Sequence, residues 1–219
     1  MGYTAIILGA TGLTGGLLLD KLIADENYKT IKVFTRKSTG KASLKVKEFI
    51  GDLLLLENFK EDFFADEVYC CIGTTAKKTK DKTRYKNIDY GIPVAAAKLS
   101  KENDIPFFVV ISAMGANEKS SVFYNKTKGE MEQAVLAQNI KNTYILRPSL
   151  IKGNRTETRF AEDLGNCIAR IINPFLIGKL AKYKNIKAET IAAAMKNISA
   201  LKPTETILFS DTIKALSKV

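Results

Sequence analysis

The most constraining feature of this chain is the apolar run 3–8, which passes directly into Gly9-Ala10-Thr11-Gly12-Leu13-Thr14-Gly15, with Gly16 behind it. Glycines at that spacing let a strand turn tightly into a helix. They also let backbone N–H groups approach an anion and seat the helix near the strand with its N-terminus toward the ligand. The segment is therefore expected to be a pyrophosphate-binding turn, with Gly9, Thr11, Gly12, Leu13, Thr14 and Gly15 against a dinucleotide. A Walker phosphate loop is excluded, because no Gly-Lys-Ser/Thr closes the segment.

Hydrophobic periodicity supplies the frame for that turn. Strands are predicted at 3–8, 31–36, 46–50, 67–72, 107–112 and 143–147, with helices at 13–24, 55–64, 85–102 and 121–138, the last capped by Ser120 or Ser121. Strand and helix alternate, and several strands are continuous apolar runs, which implies a parallel sheet covered on both faces. The expected class is α/β, a doubly wound Rossmann sheet. Beyond Arg147-Pro148 the pattern loosens into helices near 157–172 and 188–200, a strand at 206–209 and a terminal helix. The 219 residues suit one domain. Residues 150–219 are expected to form a small cap over the carboxyl ends of the strands, where open α/β sheets bind ligands.

Composition removes whole classes of chemistry. There is no His, so Ser-His-Asp and Cys-His nucleophilic catalysis and the commonest zinc ligand are all absent. The three cysteines, Cys70, Cys71 and Cys167, lack the spacing of a metal or redox motif, so no metal site is expected and free structural thiols are. No apolar stretch is long enough to cross a bilayer and no secretory signal opens the chain, which points to a cytoplasmic protein without a membrane partner. The net charge of +11 attracts anions. Much of the excess sits in two loops, five basic residues over 36–47 and six over 77–86. Nucleic acid is a weak candidate for the anion, because no stacking platform or nucleic-acid module accompanies the charge. Both loops leave strands at the edge where an anionic cofactor is expected.

If the ligand were NAD, an acidic residue would be expected about 20 residues past the turn, at the end of the second strand, for the ribose hydroxyls. Here Val33-Phe34-Thr35 leads to Arg36 and Lys37 instead. A guanidinium there can grip a phosphate with paired hydrogen bonds and a lysine adds charge, so NADP is favoured over NAD.

A Tyr-x-x-x-Lys spacing occurs three times: Tyr28 with Lys32, Tyr124 with Lys128, and Tyr183 with Lys187. Residues four apart share a helix face, so only a pair inside a helix at the ligand edge can act together. Tyr124 opens a predicted helix and follows Ser112, at the end of the fifth strand, by 12 residues. A phenol with a pKa of about 10 is a weak proton donor, but an adjacent Lys128 ammonium favours the phenolate and brings exchange toward neutrality. Ser112 can orient a carbonyl oxygen against the phenol.

At these residues the chain resembles the extended or atypical branch of the short-chain dehydrogenase/reductase superfamily, through Gly9, Gly12 and Gly15 and most of the first 150 residues. The run Cys70-Cys71-Ile72-Gly73-Thr74-Thr75, with Ser112, Gly115-Ala116, Tyr124, Lys128-Gly129-Glu130 and Arg147-Pro148, resembles the Tat-interacting oxidoreductase-like family. The resemblance implies a catalytic Ser112, Tyr124 and Lys128, with Lys128 on the nicotinamide ribose. It also implies Asp52-Leu53 by the adenine, Gly73, Thr74, Thr75 and Pro148 near the cofactor, and Asn87 supporting a water chain to the lysine. The expected function is NADP-dependent oxidation or reduction of a small alcohol or carbonyl substrate. Two alternatives stay open, a non-catalytic cofactor sensor acting through a protein partner and a nucleotide-sugar epimerase or dehydratase.

Overall fold

The computed structural model describes residues 2–152 and 184–219. Seven parallel strands form one sheet. In chain order the elements are β1 (Tyr3–Leu8), α1 (Leu13–Ala24), β2 (Tyr28–Thr35), β3 (Val46–Ile50), a 3₁₀ segment (Leu53–Asp62), β4 (Glu67–Cys70), α2 (Lys82–Lys86), a π-helical turn (Asn87–Gly91), α3 (Ile92–Glu102), β5 (Phe107–Ile111), α4 (Phe123–Leu136), β6 (Asn142–Arg147), β7 (Ile151–Lys152), β8 (Ile186–Lys187), α5 (Ala188–Leu201), β9 (Ile207–Phe209) and α6 (Ser210–Leu216). The sheet order is β3-β2-β1-β4-β5-β6-β9, and β7 pairs with β8 in a separate short ribbon.

The period of two along β1 explains the layering. Ala5 and Ile7 point into a core shared with Leu18, Leu19 and Leu22 of α1 and Ile191, Met195 and Ile198 of α5. Ile6 and Leu8 point into the opposite core, with Leu53 and Leu56, Ala96 and Leu99 of α3, and Met131 and Val135 of α4. All four β1 side chains from Ala5 to Leu8 are fully buried, as a central parallel strand requires. In the second core Phe34 stacks on Phe49 at 4.8 Å and meets Phe59 and Phe63 at 5.5 and 5.1 Å, closing the β2–β3 side.

The expected strands are present, with β2 starting earlier at Tyr28 and β4 ending earlier at Cys70. Helix α4 begins at Phe123. Its N-cap residue is Val122, without a side-chain cap, and Ser120 Oγ instead accepts from Val122 N at 3.1 Å. The expected cap over 150–219 needs correction for its later part. Residues 188–219 are not a lid: α5 packs on α1 beneath the sheet, and β9 joins β6 as an edge strand. An apolar helix face such as Ile191, Ala192, Met195 and Ile198 is buried best against another apolar face, and α1 offers one. The helix expected at 157–172 lies outside the described residues, as do Cys167 and Tyr183.

Candidate active site

The order reverses between β1 and β4, so the crevice beyond their carboxyl ends is the expected ligand position. A cleft of about 930 Å³ opens there. Gly9, Thr11 and Gly12 form one wall, Thr35, Arg36 and Asp52 to Leu54 the β2–β3 end, and Cys71 to Thr74 the β4 side.

The glycine turn can take no other residue at two places. Gly9 has φ +86°, and a Cβ there would lie 2.8 Å from the Cys71 carbonyl. A Cβ on Gly15 would lie 2.3 Å from Gly9 O, so α1 touches the turn backbone to backbone. Gly12 N donates to Gly9 O at 2.9 Å, and Gly12 caps α1 without a side chain over its first amides. With no acidic side chain in its first turn either, α1 starts from the cleft wall at Gly12 with its first amides uncapped. These residues fit a pyrophosphate. Leu13, Thr14 and Gly15 sit in the first turn of α1 but do not line the cleft; Thr14 and Gly15 are buried.

At the β2 end Arg36 is exposed and lines the cleft, whereas Lys37 is exposed outside it. Asp52 accepts from Leu54 N at 3.0 Å, which makes it the cap of the 3₁₀ segment, and Leu53 is buried beneath. The second basic loop also reaches the cleft through Lys78, Lys80 and Arg84, none of which the motif reading assigned to the site. Asp81, in the same loop, accepts from Arg84 N at 2.7 Å as the cap of α2. Runs of lysine in a loop that leaves β4 were the available signal.

Of the groups expected to be catalytic, Ser112, Tyr124 and Lys128 do not line the cleft, but Lys128 stands behind Gly73, where a Cβ would lie 3.9 Å from its Nζ. Ser112 follows β5, is buried, and donates its backbone N–H to Leu146 O at 2.7 Å; its hydroxyl has no hydrogen-bond partner among the described residues. Such an orphan is costly unless a ligand satisfies it. Tyr124, in the first turn of α4, is 41% exposed and acts electrostatically on Lys128, one turn further along. Lys128 is buried, with its Nζ 2.9 Å from Asp89 Oδ1. Burial alone would depress this ammonium, but the charges of Asp89 and Tyr124 outweigh it and hold Lys128 above the ordinary lysine range.

Asn87 does not reach the lysine: it is exposed on the outer side of the π-helical turn, and Asp89, two residues on, is the buried partner. Asp89 lies at i, i+3 and i+7 from Ile92 and Ala96, an acid on the apolar stripe of a helix, and such a group demands a cation. Thr74 N donates to Asp89 Oδ2 at 2.7 Å. Thr75 accepts from Lys78 N in its own turn, and Pro148 is buried with its carbonyl bonded to Met114 N at 3.0 Å, bracing the loop after Ser112. Cys70 and Cys71 are free, and burial pushes the Cys70 thiol up to about 11, so it is no nucleophile near neutrality. Among the described residues no cluster could hold a metal, and no helix is long and apolar enough to cross a membrane.

The model of the NAD dependent epimerase/dehydratase family matches residues 5–191. The chain belongs to that family. This family member is 35% identical over 180 residues, 80% of its own length and 77% of the relative's, to the Candida albicans protein named "Protein FMP52, mitochondrial". Among solved structures it resembles the UDP-glucose 4-epimerase of Thermotoga maritima with UDP-glucose, at TM-score 0.68 and 17% identity over 94% of this chain and 75% of that one. It also resembles the Bordetella bronchiseptica enzyme WbmH in complex with NAD+, at TM-score 0.71 and 14% identity over 100% and 80%. At such identity the structures speak for the fold alone. The expectation of a cytoplasmic protein is overturned by the fungal relatives, whose names place them in mitochondria. The presence or lack of a secretory signal does not bear on mitochondrial import.

Proposed function

We propose that this family member is an NADP-dependent oxidoreductase of the short-chain dehydrogenase/reductase type, interconverting a small carbonyl compound and its alcohol with Tyr124 as the acid/base group. The observation that carries the reading is the buried Ser112 hydroxyl, without a hydrogen-bond partner among the described residues, in a chain whose buried Lys128 is ion-paired behind the cofactor turn and whose glycine turn fits a dinucleotide pyrophosphate. A bound nicotinamide supplies hydride chemistry. In this reading Ser112 Oγ donates to the substrate oxygen, and the Tyr124 phenol gives or takes the proton at that oxygen. Lys128 favours the phenolate electrostatically. The preference for NADP is supported by the absence of an acid at the end of β2 and by Arg36 in the cleft wall, joined there by Lys80 and Arg84. The two acids in the wall, Asp52 and Asp81, each already cap a helical segment.

Tyr124→Phe is expected to keep the fold and NADPH affinity and to lower turnover on a carbonyl panel by about 10²-fold or more; unchanged turnover removes Tyr124 from the role. Arg36→Ala is expected to weaken NADPH binding by about tenfold while leaving NADH nearly unchanged, and equal losses remove Arg36 from phosphate recognition. The family match favours a second reading, an epimerase or dehydratase acting on a nucleotide sugar with the same residues, so the panel includes UDP-sugars. Tight NADPH binding without turnover on any substrate supports a sensor instead.

A further inference from the structure

We infer that Asp89 is the positioning residue of this site, holding Lys128 as a cation in reach of Tyr124 and tying that charge to the cofactor turn after β4. The inference deepens the oxidoreductase reading and rests on it. One carboxylate makes both connections: Oδ2 accepts from Thr74 N at 2.7 Å and Oδ1 lies 2.9 Å from Lys128 Nζ. Both ends of the pair are sealed, with side-chain exposures of 5% for Lys128 and 1% for Asp89. The ammonium meets Oδ1 at ion-pair distance. An ammonium has three N–H donors, and a single carboxylate oxygen leaves donors over for a neighbouring phenol and a ribose hydroxyl.

The pair stands directly behind the cleft. A Cβ on Gly73, which lines the cleft, would sit 3.6 Å from Asp89 Oδ1 and 3.9 Å from Lys128 Nζ. Asp89 is brought inward by the π-helical turn Asn87–Gly91, an irregularity that is costly in a helix and recurs at functional positions. A buried ion pair is weak evidence of stability, since an apolar pair of equal volume serves a fold as well. The contact between α3 and α4 already has Ile92, Ala96, Met131 and Val135. What the pair adds is a fixed positive charge next to Tyr124.

Among the described residues, the charged and titratable groups facing Lys128 are Asp89 from the π-helical turn, Cys70 from β4 and Tyr124 from its own helix. Cys70, pushed up to about 11, is neutral at working pH. Without the Asp89 charge, burial dominates and Lys128 drops below the ordinary lysine range, so it deprotonates where the wild type does not.

The test is NMR titration of protein labelled with ¹³Cε-lysine, with Lys128 assigned through Lys128→Met, on wild type, Asp89→Asn and Asp89→Glu. In the wild type the Lys128 resonance is expected to titrate above the ordinary lysine range. In Asp89→Asn its midpoint is expected to fall by about one pH unit or more, with Asp89→Glu restoring most of the shift. With a turned-over carbonyl, the alkaline limb of the kcat profile is expected to move the same way in Asp89→Asn, which a merely structural loss would not produce. A wild-type Lys128 titrating at or below the ordinary lysine range overturns the inference even if the variants do not fold, and so does an unmoved midpoint in folded Asp89→Asn. The titration needs no turnover. A panel without any substrate therefore defeats the oxidoreductase reading alone, and a failed titration defeats only the role of Asp89.

Discussion

Gly15→Ala is expected to weaken NADPH binding by about tenfold or more and to lower stability by about 1–3 kcal/mol, read by fluorescence titration and urea unfolding. A methyl at that position would press on Gly9 O, on the Gly9 carbonyl carbon and on Ala10 N, all backbone atoms that cannot rotate away. Wild-type values for both quantities would show that α1 can retreat without opening the turn. Residues of this kind are legible in a sequence, because only glycine meets the geometry and the neighbours in the chain supply the context. Ser112, Tyr124 and Lys128 are legible for a similar reason, one strand end followed by one helix face. Asp89 was not, because its partner is 39 residues away and the exposed Asn87 in the same short segment carries an amide that looks more functional. The distinction between them is burial, and burial is set by which side of the turn packs on α4.

At the scale of elements, β1 to β6 and α1, α3 and α4 follow from apolar runs and helical spacing, with ends displaced by at most three residues apart from the start of α3. The departures have physical causes. A helix was expected to run unbroken over 85–102, but the chain inserts a π-helical turn, which no side-chain period announces. The 3₁₀ segment Leu53–Asp62 replaces an expected α-helix because Leu55 and Phe59 leave helical angles. Phe59 turns its ring toward Phe34 there. For α5 and β9 the local pattern was read correctly but the destination was not. The same apolar helix face suits a lid or a core layer, and only the complementary face of α1 decides between them.

At the scale of the whole molecule, α5 is also held to the C-terminal end of α1 by Lys196 Nζ, 2.7 Å from Asp25 Oδ2. The Lys196 hydrogen bond, partly opposed by burial, holds the Asp25 carboxyl below its usual 3.8. A carboxyl lowered on folding contributes stability that is fully present above 3.8 and is lost as pH falls through the folded value. With the Lys196 side chain one-third exposed, the pair is screened and contributes of order 0.5 kcal/mol. Asp25→Asn is expected to cost about that much at pH 7 and to flatten the decline of thermal stability below pH 4; a melting curve with an unchanged acid slope would remove the pair from the docking of α5.

Order along the chain was enough to determine a parallel α/β sheet and a glycine turn that fits a pyrophosphate, and to propose the Ser, Tyr and Lys set, because each depends on residues close in sequence and on steric rules that hold in any context. Only the tertiary structure decided that Asp89 faces Lys128, which residues of the 77–86 loop border the cleft, and that the last 30 or so residues pack on α1 and extend the sheet. Those outcomes depend on which distant surfaces exclude water together, and burial of that kind is a property of the folded whole.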